Sequence, residues 1–181
     1  MPPSVDADAP IFLVGFMASG KTTVGKLVAE RLGWQFDDLD ELVRRAAGGR
    51  AVADIFAAEG EAGFRRRESD ALREAAARRR AVIATGGGAA CREDNLAAML
   101  AGGLVVTLEV SAEEAIRRAG SSSGRPLLDG KTDPVGAARA LLDVRRSFYE
   151  RAHVRIDTDG RTPADIADAV LDGVRSKRKE S

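Results

Sequence analysis

The sequence predicts a three-layer α/β fold, a five-stranded parallel sheet with helices on both faces. Three observations carry that prediction. Short apolar runs alternate with stretches of helical periodicity along the chain. The first run, Ile11-Phe12-Leu13-Val14, leads into Gly15-Phe16-Met17-Ala18-Ser19-Gly20-Lys21-Thr22, a phosphate-binding glycine loop whose context is a strand before and a helix after. A later run, Ala81-Val82-Ile83-Ala84, is apolar on both faces, as a central parallel strand must be, and it ends in three glycines.

Composition sets the bounds. A chain of 181 residues suits one domain with a single core, and 1–181 reads as such. Acidic and basic residues cancel at 28 each, which excludes a general nucleic-acid surface. One cysteine, Cys91, leaves no intrachain disulfide and no thiolate cluster, so a reducing cytoplasm is expected. No apolar run reaches membrane-spanning length, and no membrane partner is expected. Residues 1–10 read as a disordered lead-in without a signal peptide, and 175–181 as a solvated basic tail. A monomer is expected.

The glycine loop is the chemical centre. Gly15 and Gly20 permit backbone angles that a Cβ forbids. The loop amides then turn inward onto phosphate oxygens, and the next helix adds its N-terminal partial charge. Lys21 reaches the β- and γ-phosphates, and Thr22 offers its hydroxyl to Mg²⁺. The helix from Thr23 to Leu32 carries Val24, Leu27, Val28 and Leu32 on one face and stops at Gly33.

Trp34–Asp37 is the second strand. It ends in Asp37-Asp38-Leu39-Asp40, where open α/β sheets place ligands. Asp38 or Asp40 can instead cap the next helix, and capping and function are compatible. Two short helices follow, Glu41–Ala47 and Val52–Ala58, then a break at Gly60 and a long helix over Glu61–Arg80. The insertion, 39–68, is more than a strand–helix–strand unit needs and reads as a substrate pocket. The third strand runs into Thr85-Gly86-Gly87-Gly88. A turn needs one or two glycines, and three indicate a close approach to the backbone.

Arg92–Ala101 is a helix and Leu104–Leu108 the fourth strand. Ser111-Ala-Glu-Glu114 is a capping box opening a helix that ends at Gly120. Ser121–Gly130, with Arg125 at its middle, reads either as a linker or as a mobile lid over a transferring phosphoryl group, the lid spanning 119–132. Pro134–Arg151 is a helix and Val154–Asp157 the fifth strand. Thr162 caps the last helix, with Pro163 at its first position. His153 and Cys91 have no partner pattern and read as structural.

From Ile11 to Val174 the chain resembles shikimate kinase. The segments that carry the resemblance are Leu13–Thr23, Phe36-Asp-Asp-Leu-Asp40, Ala53-Asp-Ile-Phe56, Glu61-Ala-Gly-Phe-Arg65, Gly86-Gly-Gly88, Arg125-Pro-Leu-Leu128 and Arg145-Arg-Ser-Phe-Tyr149. The resemblance implies a P-loop kinase fold with strand order 2-3-1-4-5. It implies phosphorylation of the 3-hydroxyl of shikimate by ATP with Mg²⁺ as cofactor. It assigns ATP binding to Ala18, Ser19, Gly20, Lys21, Thr22, Thr23, Arg118, Arg125, Arg161 and Pro163. It assigns shikimate to Asp40, Arg65, Gly86, Gly87, Gly88 and Arg145, the two arginines gripping its carboxylate. Lys21, Asp40 and Arg125 become the catalytic residues, and Thr22 with Asp38, through water, the Mg²⁺ residues. Phe64 selects Arg65 from its triplet, and counting back from Tyr149 selects Arg145 over Arg146. One departure is Ala18, where many members carry glycine; its methyl is tolerable if the residue keeps a negative φ. The alternatives are a related kinase of the gluconate type and a ligand sensor on the same fold.

Overall fold

The computed structural model describes residues 6–120 and 132–180. Five parallel strands form one sheet in the order β2-β3-β1-β4-β5. They are β1 (Ile11–Gly15), β2 (Gln35–Asp38), β3 (Ala81–Ala84), β4 (Leu104–Glu109) and β5 (Val154–Asp157). The helices are α1 (Lys21–Leu32), α2 (Leu39–Ala46), α3 (Val52–Ala76), α4 (Glu93–Gly102), α5 (Ala112–Ala119), α6 (Pro134–Tyr149) and α7 (Pro163–Glu180).

The pleat of β1 divides the core. Ile11 and Leu13 point to one face, where α1 brings Val24 and Val28, and α7 brings Ile166, Val170, Leu171 and Val174. Phe12 and Val14 point to the other, against Leu39, Ile55, Leu72, Met99 and Tyr149 from the remaining helices. Every β1 residue is buried, so this strand is apolar on both sides.

β1 pairs with β3 on one side and β4 on the other, with Leu13 opposite both Ala84 and Val106. The connection from β1 runs to β2 at one edge and that from β3 runs the other way to β4, so a crevice opens at the carboxyl ends of β1 and β3. Gly15, Asp38 and Ala84 end their strands at that crevice.

The long third helix differs from the expected pair in its join and in its end. Gly60 sits at φ 69°, ψ −179°, a non-helical kink inside α3. Phe56 and Phe64 stack across it with ring centroids 4.6 Å apart. Glu59 ties its flanks by accepting from Arg67 (2.8 and 2.9 Å) and Arg50 (2.8 Å). The helix stops at Ala76 rather than Arg80, because Arg78 pairs with Asp37 and Arg80 takes a positive φ of 53°.

Both ends of the described chain are more tightly held than expected. Within the lead-in, the Leu104 amide donates to the Pro10 carbonyl (2.9 Å) and the Arg80 amide to that of Asp8 (2.8 Å). Helix α7 continues through the basic tail to Glu180. Arg178 lies over the Trp34 ring, 5.1 Å from its centroid, and donates to the Ala9 carbonyl (3.1 Å). An aromatic face and a free carbonyl draw this arginine from solvent.

Candidate active site

The loop between β1 and α1 is built for phosphate. Gly15 has φ 141°, and a Cβ there would lie 2.4 Å from the Leu108 carbonyl oxygen, so only glycine fits. Gly20 occupies the N-cap of α1 at φ 92° with no side-chain cap, so the first amides of α1 have no capping side chain over them. Lys21 Nζ donates to the carbonyls of Gly15 (2.8 Å) and Phe16 (2.7 Å), folded back along the loop. Ser19 is fully buried beneath it.

Ala18 corrects one expectation. It takes φ 56°, the left-handed region, not a negative φ. The loop apex therefore carries a methyl where glycine fits without strain, at a cost of roughly 1–2 kcal/mol.

Asp38 does two jobs at once. Oδ1 caps α2 by accepting from the Asp40 amide (3.0 Å), and Oδ2 accepts from the Thr22 hydroxyl (3.2 Å). The sequence left capping open between Asp38 and Asp40; Asp38 takes the cap with one oxygen and meets Thr22 with the other. Thr22 and Asp38 offer only hard oxygens, the donor set that suits Mg²⁺ completed by phosphates and water. No group of three or more metal-ligating side chains gathers among the described residues, so these two would hold Mg²⁺ jointly with a nucleotide.

The triple glycine faces the groups expected to hold the acceptor. A Cβ on Gly86 would lie 3.4 Å from Asp40 Oδ1 and 3.6 Å from Glu68 Oε1. On Gly87 it would lie 3.2 Å from Arg145 Nη1, and on Gly88 3.5 Å from Arg65 Nη2 and 3.6 Å from Arg145 Nη2. None of the three has a positive φ. They are small because side chains close in on them. Arg145, not Arg146, enters the site; Arg146 is exposed and pairs with Asp143 (2.7 Å). A cavity of about 240 Å³ lies between Met17, Asp40, Phe64, Arg65, Gly87 and Arg145.

Two groups here escaped the sequence reading. Glu68 is 1% exposed and accepts from Arg65 Nη1 at 2.8 Å, which fixes that guanidinium. In sequence it is one more charge after Arg65-Arg66-Arg67, where a solvated helix face is the ordinary reading. Tyr149 is buried and donates its hydroxyl to the Gly87 carbonyl (2.6 Å). Its signal was present only as the marker used for register.

Asp40 opens into the cleft, yet the surrounding protein raises its carboxyl above the ordinary range. Loss of water is the main cause, and the negative charges of Asp38 and Glu68 add to it. A carboxylate with raised proton affinity is a better acceptor for a hydroxyl proton.

The expected adenine side gathers around Thr158. Arg118 donates to the Thr158 carbonyl (2.6 Å) and hydroxyl (3.0 Å) and to the Ala18 carbonyl (3.3 Å), and pairs with Glu114 (2.7 Å). Glu114 is thus spent on arginines rather than closing the capping box; the Ser111 amide goes to Asp159 instead (3.1 Å). Arg161, exposed, donates to the Asp157 carbonyl (3.1 Å) two residues before Pro163. Thr162 forms a true reciprocal cap with Asp165. Arg125 and most of the expected lid, 119–132, lie outside the described residues.

The remaining candidates are structural. His153 Nδ1 accepts from the Val105 amide (3.0 Å), and burial lowers its pKa. Cys91 is half-buried with its thiol pushed up by burial, Sγ 3.7 Å from the Gly87 carbonyl. A separate cavity of about 370 Å³ lies behind α6, between Phe16, Leu108, Leu142 and Tyr149. Its rim arginines, Arg139, Arg146 and Arg155, are all paired with carboxylates.

Comparison with known proteins gives one family. The family model described as shikimate kinase matches residues 17–175. The shikimate kinase of Symbiobacterium thermophilum is 50% identical over 170 residues, covering 92% of this chain and 97% of the relative. That of Streptomyces coelicolor is 47% identical over 168 residues, covering 92% and 96%. A solved structure, shikimate kinase from Acinetobacter baumannii in complex with shikimate, superposes with a TM-score of 0.86 at 38% identity, covering 94% of each chain.

Proposed function

The chain belongs to the shikimate kinase family, and from that premise we propose how its own residues transfer the γ-phosphoryl group of ATP to the 3-hydroxyl of shikimate. The products are shikimate 3-phosphate and ADP. The observation that carries the reading is the convergence on Gly86–Gly88 of Asp40 from one side and of Arg65 and Arg145 from the other. An acidic group for a hydroxyl and a guanidinium pair for a carboxylate are what a hydroxylated carboxylic acid requires.

ATP lays its phosphates along the loop amides of Ala18, Ser19, Gly20, Lys21, Thr22 and Thr23. Lys21 exchanges the carbonyls of Gly15 and Phe16 for β- and γ-phosphate oxygens. Arg118, already spent on Thr158 and Glu114, offers its guanidinium face to the adenine, with Arg161 and Pro163 flanking. Arg65 and Arg145 fork onto the shikimate carboxylate, and the Gly87 backbone closes the remaining side. Asp40 holds the 3-hydroxyl. As the new oxygen–phosphorus bond forms and the bond to ADP breaks, Asp40 accepts the hydroxyl proton. Thr22 by its hydroxyl and Asp38 through water would hold Mg²⁺, which would supply positive charge to the phosphates. Arg125 supplies a further positive charge to the same group. The single cysteine suits a reducing cytoplasm.

The test is a coupled ADP-release assay with Mg-ATP and shikimate, quinate or gluconate as acceptor. Turnover on shikimate, lost in Arg65→Ala and Arg145→Ala, supports the reaction and the carboxylate fork together. ATP binding without shikimate turnover moves the function to another acceptor or to sensing.

A further inference from the structure

Arginine is abundant in this chain, and most described arginines are neutralised. Arg31, Arg44, Arg67, Arg79, Arg139 and Arg151 each sit against an aspartate or glutamate, as do many others. Three that have no carboxylate within ion-pair distance among the described residues, Arg66, Arg92 and Arg145, line the same opening. This opening is a cavity of about 710 Å³ bounded by Arg65, Arg66, Gly88, Cys91, Arg92 and Arg145, with Glu61 at its edge.

The opening and the acceptor site share a wall. Arg65, Gly88 and Arg145 border both this outer cavity and the inner one of about 240 Å³. Arg66 and Arg92 border only the outer one and are exposed, whereas Arg65 and Arg145 are half-buried. Their origins also differ: Arg66 stands on α3, next to Arg65, and Arg92 caps the start of α4. Two elements thus bring unpaired positive charge to one mouth. Arg65 carries the buried Glu68 as its counter-ion (2.8 Å), while Glu61 reaches Arg65 only at 3.8 Å and is itself exposed. The outer cavity is left with net positive charge.

We propose that Arg66 and Arg92 form an outer anion-capture site, a vestibule that draws the carboxylate of the acceptor to the mouth and passes it inward to Arg65 and Arg145. The proposal rests on the reading that the acceptor is an anionic carboxylic acid such as shikimate. A cleft lined by one sign of charge concentrates a counter-charged ligand and speeds its encounter, and the effect is screened by salt. Arg66 and Arg92 act on arrival and not on the reacting atoms, so they raise kcat/KM for the acceptor and leave kcat alone.

The experiment compares the parent enzyme with Arg66→Gln/Arg92→Gln from low ionic strength to 1 M salt, where the screening length has fallen to about 3 Å. At low salt the double variant shows kcat/KM for shikimate reduced by about five- to tenfold, with the two converging at 1 M. Its kcat and its KM for ATP stay at parent values. Arg66→Lys/Arg92→Lys, which keeps the charge, restores the parent salt slope. Arg73→Gln/Arg175→Gln makes the same change in net charge elsewhere and leaves the slope unaltered. Parallel salt slopes for parent and Gln variant, with shikimate turnover intact, overturn the vestibule alone. A loss of kcat at saturating shikimate also overturns it, by placing these residues in the inner site. A parent enzyme with no turnover on shikimate takes down the reaction and the vestibule together.

Discussion

The Tyr149 hydroxyl donates to the Gly87 carbonyl at 2.6 Å, joining the last turn of α6 to the middle of the triple-glycine loop. Arg145 lies one turn earlier on the same helix, against Gly87 and Gly88. Tyr149 is itself fixed from below, its carbonyl accepting from the Thr107 hydroxyl on β4 (2.8 Å). The guanidinium and the glycine backbone it faces are therefore held in register by one phenol.

Tyr149→Phe removes that register while keeping the ring in the core. KM for shikimate is expected to rise about three- to tenfold, with KM for ATP unchanged. The lost bond to a buried carbonyl costs about 1–2 kcal/mol of stability. Steady-state kinetics for both substrates, with a urea unfolding curve, check it. Equal rises in both KM values would mean the residue supports the fold and not the acceptor site.

Glu68→Gln acts on Asp40 and Arg65 together. Removing the Glu68 charge takes away one cause of the raised Asp40 carboxyl. With Asp40 as the proposed proton acceptor, the reaction needs it deprotonated, so activity is expected to fall as pH drops through its pKa. A lower pKa moves the acid limb of the kcat profile to lower pH. KM for shikimate rises as well, because Arg65 loses its 2.8 Å anchor. A pH–rate profile at saturating shikimate separates the two effects.

Lys21→Ala is expected to lose at least about 10²–10³ in kcat, the usual cost of deleting one donor to developing charge. The fold is expected to persist, because Nζ donates to the Gly15 and Phe16 carbonyls and to Ser19, all within the loop itself. Near-parent turnover would remove Lys21 from phosphate binding.

Ala18 offers a test of the loop backbone. Ala18→Gly relieves the strain of φ 56° but gains unfolded-chain entropy, terms of about 1 kcal/mol each that nearly cancel. Its melting temperature stays within a few degrees of the parent. Ala18→Val places a β-branched residue at the same φ and lowers both stability and ATP affinity. Calorimetry and nucleotide titration of the two variants check the pair.

Much of this was legible in the residues. The phosphate loop, the five strands and the break at Gly60 all follow from local pattern, because glycine spacing and apolar periodicity are written in consecutive positions. Strand order was not: nothing local says that β1 lies between β3 and β4, and it came only from resemblance. Glu68 was hidden for a related reason. Burial of a charge depends on what other elements bring to it, and Arg65 and Asp40 stand on different helices. The φ of Ala18 was also beyond reach, since an alanine carries no local signal for the left-handed region. The capping role left open between Asp38 and Asp40 falls to Asp38, whose second oxygen meets Thr22, and no local pattern in the sequence separates a carboxylate's two oxygens.

Helix α7 completes one face of the core, and it comes last. Translation delivers β1, α1 and β4 well before Ile166, Val170, Leu171 and Val174, which cover Leu13, Val28 and Val106. Each of those late side chains contributes about 1.5–3 kcal/mol once buried. A nascent chain still short of Pro163 therefore leaves that apolar face covered by α1 alone. It can collapse but cannot close that face until α7 emerges, and apolar surface exposed at that stage is prone to aggregate.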